Sequence, residues 1–175
     1  NDFSMYKPEK CNATVLLANK IRGRGLRIDG IGLQAHWGLD YPSIDEIEKS
    51  ILTIHEAGYR VHFTELDIDV LPNMWEIEGA DLSDNFKSND QLNPYKLSLP
   101  DSISSLLSDR YSEIFKLFSK HSDKIDRVTF WGLSDGYSWK NDWPAKGRTN
   151  YPLLFDRENN PKQAYMDIIR QFSVK

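Results

Sequence analysis

HFTELDIDV, residues 62–70, decides how the rest of the chain is read. With Tyr59 to Val61 before it, the segment YRVHFTEL alternates as a strand does, with Val61, Phe63 and Glu65 on one face. The strand then closes on three carboxylates, Glu65, Asp67 and Asp69. Either they are a solvated strand end, or they do chemistry at the mouth of a barrel.

The segments on either side alternate between helix and strand. Upstream, PSIDEIEKSILTIHEAG reads as a helix. Ser43 and Glu46 form a capping box behind Pro42, Ile44, Ile47, Ile51 and Ile54 make the apolar face, and Gly58 ends it. Before that, IDGIGLQAHW reads as a short strand from about Ile28. TVLLANKIRGRG reads as a helix with Val15, Ala18 and Ile21 on one face, stopped by Gly23 and Gly25. Downstream, residues 71–101 are rich in Asn, Asp, Ser and Pro and form the longest irregular stretch, of the kind that is usually functional or disordered. A helix follows with Leu107, Tyr111, Ile114 and Phe118 on one stripe. IDRVTFWGL is then a last strand, and PKQAYMDIIRQF a last helix with Pro161 in its first turn. This βα alternation predicts an α/β fold, a parallel sheet with helices outside. No internal repeat or second domain is legible, so residues 1–175 read as one partial domain.

Composition narrows the function. The chain of 175 residues is 39% hydrophobic and 27% charged, ordinary for a globular protein. A net charge of -4 offers no basic stripe, which argues against a nucleic-acid partner. Cys11 stands alone, so no intramolecular disulfide forms. No apolar run approaches the roughly 18 residues of a membrane span. The chain opens on Asn1 without a signal peptide, and the expectation is that its natural N-terminus lies further upstream. Trp131, Trp139 and Trp143 crowd into WGLSDGYSWKNDW, interleaved with small and polar residues. Such a block suits a loop that stacks on a ligand better than a core.

In a βα barrel the active site lies at the C-terminal ends of the strands. That rule selects Gln34 and His36, Glu65 and Asp67, and Trp131 with Asp135. In one hydrogen-bonded unit, His36 donates to Glu65 and is held by Asp67, which fixes the carboxylate's orientation. The plainer alternative is a salt-bridged Glu and a satisfied core His, which is what such residues most often are. Asp69, His55, His62 and His121 read as structural. The four His are too scattered for a zinc signature, and neither a metal nor a cofactor is expected.

At these residues the sequence resembles a known family. NDF at the start, DGIGLQAHW, FTELD, TFWGLSDGYSW and PLLFDRENNPKQAY occur in order, and together resemble the C-terminal half of glycoside hydrolase family 10, the (β/α)8 endo-β-1,4-xylanases. The resemblance runs from Asn1 to about Tyr165. It implies Glu65 as the nucleophile of retaining hydrolysis, with His36 and Asp67 hydrogen-bonding around it. It implies Asn1 and Gln34 as contacts to the sugar at the cleavage point, and Trp131 and Trp139 as aromatic walls. Phe3 stands where the family usually has Tyr, losing one hydroxyl. In retaining hydrolysis a second carboxyl about 5 Å from the nucleophile protonates the leaving oxygen and later activates water.

That second carboxyl is the expected gap. The family's acid/base Glu belongs to the strand before NDF, and no other Glu in this chain fits the role. Such barrels take about 250 residues or more, so the chain reads as strand five to helix eight of a TIM barrel, with an irregular insertion at about 71–101. The expected partners are xylan or a xylo-oligosaccharide and the N-terminal half of the same barrel. Exposed strand edges would otherwise drive self-association. The family implies an extracellular or cell-surface location. Two competing readings remain: a non-catalytic carbohydrate-binding remnant that stacks sugars on its Trp block, and a retaining barrel glycosidase of other specificity.

Overall fold

The computed structural model describes residues 4–72, 93–144 and 146–173. The elements run α1 (Pro8–Arg22), β1 (Gly30–Leu33), β2 (His36–Gly38), α2 (Ile44–Glu56), β3 (Arg60–Asp69), α3 (Asp101–Lys120), β4 (Ile125–Phe130), a 3-10 turn (Asp135–Tyr137) and α4 (Gln163–Ser173). The predicted βα alternation is present, and β3 is its hub. It pairs in parallel with β1 and with β4, and β2 is hydrogen-bonded to it as well. The chain divides into two compact units, one of Asn1–Asp67 and Glu113–Trp131, the other of Ile68–Ser112 and Gly132–Lys175.

In the first unit the helices form where the sequence places their signals. The Ser43 hydroxyl accepts from Glu46 N (3.3 Å) while the Glu46 carboxylate accepts from Ser43 N (2.8 Å), satisfying two donors that a helix start leaves orphaned. Behind this cap Ile47, Ile51 and Ile54 are wholly buried, each contributing roughly 1.5–3 kcal/mol. α1 starts earlier than the apolar pattern suggests, because Pro8 nucleates it in a position where a missing N–H costs nothing. Its buried face then begins with Cys11 and runs to Ala18. An aromatic stack fills the space between sheet and α3. Phe63 and Phe118 lie 4.2 Å apart and Trp37 meets Phe63 edge-on at 5.7 Å.

β3 corrects one expectation. Val61 and Phe63 are buried together, but Glu65 does not continue their row. The pairing runs Phe63 to Val128 and then Leu66 to Phe130, three steps on β3 against two on β4. This bulge moves the buried row to Leu66, Ile68 and Val70. The first strand is likewise not continuous. Ala35, at φ 66, separates β1 from β2, so Gln34 and His36 do not share one strand face.

In the second unit, α3 contributes Leu107 and Tyr111 and α4 contributes Ala164 and Ile168 to the buried set. Ser108 donates to Asp167 (2.7 Å), tying the two helices, and the Tyr111 hydroxyl donates to Pro152 O (2.6 Å). Pro161 is not in the first turn of α4. It bridges back to Phe155 just ahead of the helix. Most of the 71–101 stretch lies outside the described residues.

Candidate active site

Three side chains of the first unit converge. Backbone bonds from Glu65 N to Gln34 O (2.9 Å) and from Asp67 N to Ala35 O (3.2 Å) lock the Gln34–His36 turn against β3. Ala35 is fully buried at its positive φ, a backbone state that costs a non-glycine residue energy and persists only where the surroundings enforce it. The turn sets His36 across from both carboxylates. Its Nε2 lies 3.1 Å from Glu65 Oε2 and its Nδ1 2.9 Å from Asp67 Oδ1. The second contact is a close approach of ring nitrogen and carboxylate oxygen that does not meet hydrogen-bond geometry. The ring thus spans the two carboxylates, one facing each of its nitrogens.

Exposure separates the roles. The Asp67 side chain is 0% exposed, whereas Glu65 keeps 13%. Asp67 is therefore closed off from solvent, whereas the Glu65 carboxylate stays partly open to it. Trp131 N donates to Leu66 O (3.1 Å), so the half-exposed Trp131 leaves its strand directly beside the residue that follows Glu65. Gln34 is half-buried. Asn1 and Phe3 lie outside the described residues.

The remaining sequence candidates have other duties. In the second unit Asp135 is buried, accepting from Leu153 N (2.8 Å) and from Lys162 Nζ (2.9 Å). Burial pushes its carboxyl above the usual range and pushes the Lys162 ammonium down, each opposed by the other's charge. Asp135 thus pins the chain before α4. Asp69 accepts from Leu71 N (2.9 Å) and Asn150 Nδ2 (2.7 Å), which fits the structural role expected of it. His62 pairs with Asp126 and His121 with Glu48. Among the described residues no group of three or more His, Cys, Asp or Glu is arranged to hold a metal ion.

Sequence reasoning missed the polar frame of the Trp139 loop. Asn141 Oδ1 accepts from Asn150 N (3.1 Å) and Arg157 Nη2 (2.8 Å), and Arg157 also donates to Asn150 O (2.9 Å). Lys140 is buried, with its Nζ 3.5 Å from Asp69 Oδ2. A run of Asn, Lys and Arg in a loop carries no periodic signal, so only its packing reveals it. After Trp131 the chain needs glycine. Gly132 has φ 148, and a Cβ there would meet Leu153 Cδ1 at 2.7 Å.

Residues 1–171 match the family model for glycosyl hydrolase family 10. The chain belongs to that family. It is 44% identical over 172 residues to endo-1,4-beta-xylanase A of Xylanibacter ruminicola, covering 98% of this chain and 47% of that protein. It is 37% identical to an endo-1,4-beta-xylanase of Geobacillus stearothermophilus, covering 97% and 46%. A GH10 endoxylanase retrieved from a sugarcane soil metagenome superposes with TM-score 0.85 at 44% identity, over 95% of this chain and 46% of the other. The chain thus spans about half the length of the curated relatives it matches. The expected fold is the observed one: parallel strands with flanking helices that match about half of a family 10 (β/α)8 barrel.

Proposed function

We propose that this chain carries the nucleophile side of a retaining endo-1,4-β-xylanase. The observation that supports this most directly is the 3.1 Å contact between His36 Nε2 and the partly open Glu65 carboxylate. The ring orients the Glu65 carboxylate for attack on an anomeric carbon. Attack breaks the glycosidic bond and forms a glycosyl ester on Glu65. A second carboxyl protonates the departing oxygen, then deprotonates the water that hydrolyses the ester. This chain supplies the first carboxyl. The second comes from the barrel half that the relatives possess and this chain does not span. In the same reading Asn1 and Gln34 contact the sugar at the cleavage point, and Trp131 and Trp139 wall its neighbours. A polymeric substrate cannot cross a membrane, so the enzyme works at or outside the cell surface.

The test grafts this chain in place of the matching segment of the Xylanibacter xylanase. The grafted barrel is treated with a 2-deoxy-2-fluoroxylobioside bearing a dinitrophenyl group, which leaves without needing a proton. The expected result is a covalent sugar on the peptide containing Glu65. A label on another residue would overturn the assignment. The ungrafted chain is expected to release no sugar from xylan.

A further inference from the structure

Trp139 and Trp143 are in ring contact, centroids 4.8 Å apart and planes tilted by 50°. They are 36% and 40% exposed, whereas the core residue Trp37 is at 1%. The Lys140 ammonium lies over the Trp139 ring at 4.9 Å. The backbone that carries both rings is tied down on every side. Asn141 Nδ2 donates to Asp135 O (2.7 Å), Asp142 N to Arg148 O (2.9 Å), and Gly147 N to Asp142 Oδ1 (2.6 Å). Asn93 clamps the far end, donating to Gly147 O (2.8 Å) and accepting from Thr149 N (3.0 Å). Two large apolar rings thus keep more than a third of their surface exposed, on a loop that these bonds hold in place. A ligand that stacks on these rings gains much, because it need not order them.

We propose that Trp139 and Trp143 form one two-ring platform for successive sugars of a β-1,4-linked xylose chain, which makes Trp143 an additional sugar-binding position. The tilt favours this occupant. A xylose chain lacks hydroxymethyl groups and twists from one ring to the next, so rings that meet successive sugars must be inclined to each other. A flat glucan ribbon presents coplanar faces and calls for coplanar rings. The proposal rests on reading the chain as part of a xylanase, but it concerns binding and not turnover.

Indole N–H resonances are followed by NMR during titration with xylohexaose and with cellohexaose, in the chain itself and in the grafted barrel. Trp143→Phe assigns the Trp143 signal. That signal is expected to move with xylohexaose and to stay still with cellohexaose. Trp143→Ala, its fold checked by circular dichroism, is expected to bind xylohexaose roughly five- to tenfold more weakly, the loss of one stacked aromatic face. A Trp143 signal static in both proteins, an unchanged affinity, or an equal response to cellohexaose overturns the platform. Labelling of Glu65 is independent of these readings. A static Trp143 beside a labelled Glu65 removes only the platform, and a moving Trp143 beside an unlabelled Glu65 removes only the catalytic reading.

Discussion

His36 Nε2 lies 3.1 Å from Glu65 Oε2, and neither side chain is more than 13% exposed. At that distance the ring sets the direction of the carboxylate, and the proposed reaction needs the charge of Glu65 as well as its shape. Glu65→Gln keeps the shape and the contact but removes the nucleophile. In the grafted barrel its turnover of xylan should fall by at least about a thousandfold while xylan binding persists. Activity together with gel-retardation binding checks this. A carbohydrate-binding remnant would show no change in either.

Removing the ring instead of the nucleophile should cost less in rate and more in stability. His36→Ala frees the Glu65 carboxylate to rotate, and misplacement of a reacting group by about 1 Å lowers rate on the order of a hundredfold. It also removes the ring that faces Asp67, whose side chain is 0% exposed, and leaves a cavity beside that buried carboxyl. His36→Ala should therefore unfold at lower urea than Glu65→Gln, which leaves the Asp67 contact intact. Fluorescence-monitored urea curves of both variants test the order.

Features that are local in the chain were legible in it. The Ser43–Glu46 cap and the Ile stripe of α2 need only neighbours three and four residues apart, so periodicity finds them. Glu65, Asp67 and His36 were legible as a set because strand ends concentrate function in such barrels. The bulge after Phe63 was not, since it comes from pairing with β4 and breaks an alternation that looks complete in isolation. Ala35 was not, since alanine gives no signal of a positive φ. The bond between Asp69 and Asn150 was not, since 81 positions separate them.

The Asp135–Lys162 pair gives a coupling prediction. Both groups are buried, and desolvation outweighs their mutual attraction in each. Losing one partner leaves the other buried without its opposite charge, at a cost of up to about 3–5 kcal/mol. Asp135→Asn and Lys162→Met should each destabilise by that order. The double variant should lose clearly less than the sum, because it removes both charges together. A double-mutant cycle from urea midpoints measures the difference, and simple additivity would refute the pairing.

Glu48 gives a prediction in acid. Hydrogen bonds from Lys120 first, and then from His121, hold its carboxyl below the ordinary value of 4.5. A carboxyl whose folded pKa is lowered binds fewer protons folded than unfolded. It therefore contributes stability above that ordinary value, and loses the contribution as pH falls through the lowered one. Glu48→Gln has no such proton to take up. Its thermal midpoint should lie below that of the wild-type chain at neutral pH, and the gap should narrow steadily as pH drops below 4.5. Thermal melts across that range test the sign. A gap that widens in acid would mean that the Lys120 and His121 contacts do not hold Glu48 in its charged form.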